Sequence, residues 1–363
     1  MLKFCLPWVQ GRGAGLGNEL IPWCRAFIAA QVLGARCLPP AFGLNQRRYW
    51  RHFGTSRMDW LLHRALRASL PHVEFTEADY LQHGGGDAAL ALERFVVARS
   101  LRDKPALLLT TQGMWGGMAH LEAARDFALS TLYQSRFAAR NLITIRSRLN
   151  PELPVVGVHV RMGDFAAPLP PEQYRGKFNV ALPPEWYRNV AQSIHEQLAG
   201  RVQFLVVSDA PEARLRTLMD GFQCTFTADI PDSDCSDLLA LSRCDLLVCS
   251  VSSFSVWAAF LSEAPYLWYE PNLGESAPGW LSIWGHEPGQ REPASGTQRA
   301  LANAMAAREP RAQRAWATPA SGAVDFEALA QATARHSARS LDLIRYGVVP
   351  PHRQPDPSKQ RAM

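Results

Sequence analysis

Between residues 155 and 271 the chain alternates short, β-rich apolar runs with segments of helical periodicity, a pattern that predicts a parallel sheet with crossover helices. The strands expected are 155–160, 202–207, 225–227, 246–249 and 266–269. Between them the clearest helix starts after Pro183 and Pro184. It places Trp186, Val190, Ile194 and Leu198 on one stripe, and Gly200 ends it. Further helices are expected over 212–219, 235–243 and 254–262. The first 150 residues are less regular: 2–6 reads as a strand, followed by a glycine-rich turn and a helix through Leu33. Residues 106–111 read as another strand and 121–149 as one helix, so a second α/β half is expected. Residues 285–322 are rich in Pro, Gly, Ala and Arg with little periodicity and read as a loose insertion or linker. A helix is expected within 323–349 (over 326–344), and a disordered tail over 350–363. The organisation expected is therefore an N-terminal unit over 1–150 and a second unit over 151–284, followed by those three segments.

Composition fits this division. The chain has 363 residues, 47% hydrophobic and 20% charged, enough for two domains with cores of their own. Its apolar runs, such as 257–261 and 106–109, fall far short of the roughly 20 residues that cross a bilayer. Pro7, Gln10 and Arg12 interrupt any leader-like amino terminus. Seven cysteines are scattered singly with no metal-ligand spacing, which fits a reducing compartment, so a cytoplasmic protein is expected. The net charge of +5 is unevenly spread. No acid occurs between Glu19 and Asp59, whereas Arg25, Arg36, Arg47, Arg48, Arg51 and Arg57 all do. That stretch is either a solvated face or the contact for an anionic partner. Nucleic acid is disfavoured, because the remaining charge is balanced and no recognition motif is present.

The chemistry concentrates where predicted strands end. His159, Arg161, Gly163 and Asp164 follow the first, Ser208 and Asp209 the second, and Ser250, Ser252, Ser253, Phe254 and Ser255 the fourth. In a parallel sheet these ends share one edge, where α/β folds bind ligands. His159 and Arg161 lie on one face of their strand because side chains alternate with a period of two. The serine cluster opens a helix, and its hydroxyls and free backbone N–H groups make an anion site that a guanidinium could complete from across the edge. Each feature also has a plain structural alternative: N-capping for the serines, an ion pair with Asp164 for Arg161, a buried hydrogen bond for His159. For Asp209 the alternatives are a ribose or base contact and a helix cap. The glycines of 11–18 fall at 11, 13, 15 and 17, out of register for a dinucleotide fingerprint, and no acid follows about 20 residues on. An NAD-dependent dehydrogenase is thereby disfavoured. What remains is a loop whose Gly15 and Gly17 permit close backbone approach, with Asn18 near the helix start as donor or cap. Asp232, Ser233 and Asp234 spell a DxD, read here as capping of the helix that follows rather than as a metal site.

Four segments in order, Gly15 to Leu20 (GLGNEL), 156–165 (VGVHVRMGDF), 206–211 (VVSDAP) and 237–261, resemble the α-1,2-fucosyltransferase family and, more distantly, protein O-fucosyltransferases and α-1,6-fucosyltransferases. The resemblance implies two facing Rossmann-like domains of the GT-B type and inverting transfer of L-fucose from GDP-fucose to a glycan hydroxyl. No metal or other cofactor would be needed. It further implies that Arg161 contacts the donor β-phosphate and that 252–255 contact the pyrophosphate. His159, Gly163, Asp164, Ser208 and Asp209 would shape the donor pocket, with Gly15, Gly17 and Asn18 on the acceptor side. Arg161 and Asp164 are the catalytic candidates, Asp164 either as base or as a partner locked on Arg161. Met162 stands where the family usually has a second arginine, Glu19 where glutamine is frequent, and Val256 where tryptophan is common. A nucleotide-sugar or carbohydrate-binding protein without catalysis, or use of another GDP-sugar, is the alternative. A lipid-linked acceptor at the inner membrane face is a further expectation.

Overall fold

The computed structural model describes residues 2–8, 14–42, 46–83, 88–113, 118–174, 177, 179–272 and 315–345. The strands are β1 (Leu2–Pro7), β2 (Arg36–Cys37), β3 (His72–Phe75), β4 (Ala106–Thr111), β5 (Val155–Val160), β6 (Gln203–Ser208), β7 (Cys224–Phe226), β8 (Leu246–Val248), β9 (Tyr266–Tyr269) and β10 (Ala315–Thr318). The helices of the first half are α1 (Leu16–Leu33), α2 (Trp50–Phe53), α3 (Arg57–Ser69), α4 (Glu77–Gln82), α5 (Ala88–Ala98), α6 (Arg125–Tyr133) and α7 (Ala138–Ser147). Those of the second are α8 (Pro184–Gln197), α9 (Glu212–Leu218), α10 (Asp234–Leu241), α11 (Ser253–Leu261) and α12 (Phe326–Arg345). Two wholly parallel sheets result, ordered β2-β1-β4-β3 and β10-β9-β8-β5-β6-β7, so the expected pair of Rossmann-like α/β units is what the chain forms.

β5 lies inside the second sheet, between β6 and β8, and all six of its residues are buried. A strand covered on both faces tolerates β-branched residues throughout, which is why 155–160 reads as a continuous apolar run rather than an alternation. Gly157 is the exception and has a packing reason. A Cβ there would lie 2.8 Å from Cys244 Sγ, 2.9 Å from Leu241 and 3.0 Å from Leu247.

α1 has 14 of its 18 residues buried, because it packs on β1 and β4, on α5 and on α11 of the other half. Its C-cap Gly34 adopts the left-handed conformation with φ 64°, and the N–H there returns to the carbonyls of Ala30 and Gln31. Buried Arg25 spends its guanidinium on the carbonyls of Gln112 (3.3 Å) and Gly113 (2.6 Å) just past β4. Arg125 clasps the far end of α11, donating to the carbonyls of Phe260 and Leu261, where a cation meets the negative end of the helix.

Two expectations are corrected. The single helix over 121–149 is a 3-10 turn (Ala119–Ala124) followed by α6 and α7. The break at 134–137 is a tertiary effect, since Ser135 Oγ and His52 Nδ1 share a hydrogen bond (2.9 Å) and Arg136 N donates to the His52 carbonyl. The expected linker 285–322 contains β10, which pairs in parallel with β9 along the sheet edge. A four-residue Ala-Trp-Ala-Thr strand is too short to carry periodicity. The expected tail, 350–363, and most of that linker lie outside the described residues.

Gly157→Val should lower stability by about 1–3 kcal/mol through overpacking. Urea unfolding reads this as a lower midpoint at unchanged slope.

Candidate functional site

The carboxyl ends of β5, β6 and β8 open, as parallel topology requires, onto one cleft of about 440 Å³ closed on its other side by the first turn of α1. Arg161 and Ser253 both line it, as do Gly15, Gly17 and Asn18. The two halves touch at its floor. Ser253 donates to Asn18 Oδ1 (2.6 Å), and the buried Trp257 indole donates to the Gly17 carbonyl (2.6 Å). Gly17 is required by this approach: a Cβ there would lie 2.8 Å from Ser253 Oγ and about as near to Ser253 and Phe254 backbone atoms, at 3.0 and 3.1 Å. Asn18 thus serves as a link between halves, not as a helix cap, a position taken by Gly15. Two helices therefore direct their N-termini, the positive ends of their dipoles, at one space.

The serines divide the work. Ser252 is the N-cap of α11 and accepts from Phe254 N (3.2 Å). Ser255 turns inward, accepting from Ser250 N (2.9 Å) and meeting His159 Nδ1 at 2.7 Å; Ser250 Oγ lies 3.0 Å from the same nitrogen. His159 is thus a buried, hydroxyl-bound ring in the cleft wall, tilted against Phe254 at 4.9 Å. Burial, reinforced by the Arg161 charge, pushes its pKa down to about 3, so it is neutral at physiological pH. This is the structural alternative open in the sequence: His159 borders the space, but its Nδ1 is already engaged.

Arg161 leaves the end of β5 and is held by two carboxylates, Asp164 at 2.5 Å and Asp209 at 2.9 Å, with Phe165 beneath the guanidinium at 5.1 Å. Asp209 also accepts from Met162 N (2.9 Å), which pins the turn. Gly163 is needed in that turn because a Cβ would collide with the Asp209 carboxylate. Asp209 therefore caps no helix: the N-cap of α9 is Pro211, and no side chain caps it. Ser208 is committed to the backbone, donating to the Val160 carbonyl (2.6 Å) and accepting from Ala210 N (3.0 Å).

Asp164 is met by a second cation, Arg47, at 2.9 Å. Partial burial pushes its pKa up, but Arg161 and Arg47 outweigh this and hold the carboxyl below the usual carboxylate range. A carboxylate so stabilised is a weak base, so of the two roles open for Asp164 the geometry favours the locked partner. Arg47 was legible only as one of a run of arginines, and the run is partly consumed within the chain: Arg51 pairs with Asp232 at 2.6 Å. Tyr49, whose hydroxyl accepts from Leu16 N (2.8 Å), completes that wall; nothing in its local sequence marks it.

The DxD triplet is used differently from capping. Asp232 takes a left-handed conformation (φ 52°) and pairs with Arg51. Ser233 occupies the N-cap position of α10 but donates its hydroxyl to Asp237 Oδ2 (2.6 Å). Asp234 and Asp237 both line the cleft, Asp237 buried at its wall. Burial pushes the Asp237 carboxyl up to about 7, against the opposing effect of the Ser233 hydrogen bond. The sequence shows Asp237 only as an acid in an apolar helix. Among the described residues no group of three or more His, Cys, Asp or Glu is arranged to hold a metal.

Residues 131–266 match the family model described as Glycosyl transferase family 11. Among solved structures, POFUT1 in complex with GDP-fucose aligns at 14% identity over 73% of this chain and 96% of that one, with a TM-score of 0.41. NodZ alpha-1,6-fucosyltransferase soaked with GDP-fucose aligns at 15% identity over 79% of this chain and 97% of that one, with a TM-score of 0.40. No curated protein matches the chain. The motif resemblance is thus supported by the match to a glycosyltransferase family model over residues 131–266.

Because burial favours the neutral Asp237 carboxyl, the folded state holds a proton that the unfolded chain has already released between about pH 4 and 7. Stability relative to Asp237→Asn should fall as pH rises through that window and level off above it. Melting curves of both proteins from pH 5 to 8 measure the difference, and a parallel pair of curves contradicts the assignment.

Proposed function

We propose that this chain, fucosyltransferase-like over residues 131–266, transfers L-fucose from GDP-fucose to a glycan hydroxyl, with inversion at the anomeric carbon and an α-1,2 linkage. The observation that carries this reading is that Arg161 and the amide-rich turn at Ser252, Ser253 and Phe254 line one cleft. A guanidinium presents a rigid fork of donors suited to a diphosphate, and the first turn of α11 offers backbone N–H groups to the same anion.

Breaking the bond from fucose C1 to the diphosphate oxygen places negative charge on the leaving group while the acceptor oxygen forms its bond to C1 from the opposite face and loses its proton to solvent. Donors preorganised at the leaving oxygen stabilise that charge more than they stabilise the bound donor. In this scheme Asp164 and Asp209 are positioning residues that aim the Arg161 fork, His159 is a neutral wall beside it, and departure of the leaving group carries the reaction without a strong base. The acceptor sugar enters along Gly15, Gly17 and Asn18, on the wall supplied by the first half.

Arg161, Arg47 and two helix N-termini supply the positive charge that a divalent cation would otherwise provide, so the reading includes transfer without a metal. Met162, where a second arginine is frequent in such enzymes, packs partly buried against the core, leaving Arg161 as the motif's cation. We place the activity in the cytoplasm. Among the described residues no helix is long and apolar enough to cross a membrane.

Arg161→Ala should reduce GDP release from GDP-fucose in the presence of acceptor by about 100-fold to 1,000-fold while melting within a few degrees of the parent. Unchanged turnover rejects the donor site, and GDP binding with no turnover in the parent chain assigns it to a binding protein instead. A chelator should leave the parent rate unaltered in the same assay, whereas a loss restored by manganese overturns metal-free transfer.

A further inference from the structure

The outward face of α3 is not used by the cleft. Leu66 turns toward the small cluster of Leu6, Leu38 and Leu108 on the first sheet, and His63 is the one fully buried residue of this helix. Facing away from His63, Met58, Leu61, Leu62 and Ala65 recur at the i, i+3, i+4, i+7 spacing of a single stripe, and the first three are 68%, 50% and 50% exposed. Such a stripe is the face a helix ordinarily turns inward. Here it faces out.

Charge identifies what covers it. At 100° per residue, Arg57, Arg64 and Arg67 form a ridge along one flank of the stripe, and all three are exposed. The stems of the last two lie beside aromatic rings, with guanidiniums 4.8 Å from the Trp60 ring and 4.3 Å from the Trp8 ring. The single acid of the helix, Asp59, lies toward the inner side. Its carboxylate is taken by the backbone and hydroxyl of Ser56 in a capping box. The outer surface of α3 is thus an apolar band edged by arginines, with no carboxylate of its own. A partner protein built to pair with it would meet the apolar band and the basic ridge at an angle to one another, whereas the bilayer interface offers acyl chains and phosphates in that order of depth.

We infer that α3 docks on the surface of an anionic phospholipid bilayer. Met58, Leu61, Leu62 and Ala65 sit among the upper acyl carbons, and Arg57, Arg64 and Arg67 at the lipid phosphates. This docking stands whether or not the cleft transfers fucose. It has a consequence for the cleft: Arg47 and Tyr49, which line the site, are joined to α3 through the short helix α2, so docking would hold that wall near the membrane.

The test is flotation of the full chain with vesicles of phosphatidylcholine alone and of phosphatidylcholine mixed with phosphatidylglycerol. The parent should float with the mixed vesicles, remain below with the neutral ones, and be released at about 1 M salt, where the Debye length falls to roughly 3 Å. The double variant Leu61→Glu/Leu62→Glu and, separately, Arg57→Glu/Arg64→Glu should each weaken binding at least about 10-fold, with melting temperature and GDP binding unchanged. Failure to float, or flotation indifferent to the leucine pair, overturns the proposal. So does self-association, seen by light scattering without lipid, that the leucine pair abolishes, because a second copy would then be the occupant.

Discussion

The rest of the site depends on how closely the first turns of α1 and α11 approach. At Gly17 the distance is too short for even a methyl group beside Ser253, so the two halves are joined through backbone there, and the Trp257 indole and the Asn18 amide fix the join by hydrogen bonds. Buried, directed hydrogen bonds between elements leave little freedom for sliding, since a displaced donor would remain unpaired. The same approach aligns two helix dipoles on one cavity, and like partial charges brought together in this way are relieved by an anion between them. The mechanical join and the binding potential of the cleft have one origin.

Opposite that join, Arg161 is held in place by contacts within the chain. Two carboxylates and the Phe165 ring restrict its guanidinium, and Asp209 also holds the backbone of the turn that carries it. Such a group loses less entropy on meeting a phosphate than a free arginine would. Electrostatics around it are tuned by burial as well as by charge. His159, whose protonation would place a second cation beside Arg161, is kept neutral by its enclosure, and Asp164 is kept anionic by two arginines.

Much of this was legible in residue order. Strand β5, the polar clusters after β5, β6 and β8, and the capping serine of α11 follow from local pattern, because alternation, β-branching and capping are properties of a few neighbouring residues. The first half was less so: β2 has two residues and β3 four, too few to show a period. The roles inside the cleft were legible as alternatives only. Ser208 and Ser255 carry the same hydroxyl as Ser252, yet they are spent on the Val160 carbonyl and on His159, partners 48 and 96 positions away. Arg47 joins Asp164 across 117 positions, and no local rule connects them.

Sequence by itself determined the second parallel sheet, the edge on which its chemistry gathers, and the class of transfer its motifs resemble. These rest on short-range physics, namely side-chain alternation, helix capping and the sharing of one edge by parallel strand ends. Tertiary structure alone decided which of the polar residues face the cavity and which are consumed in holding it. It also raised the Asp237 carboxyl toward neutrality and turned an apolar stripe of α3 outward. Those outcomes depend on burial and on distances between residues far apart in the chain, and neither exists until the two halves have packed.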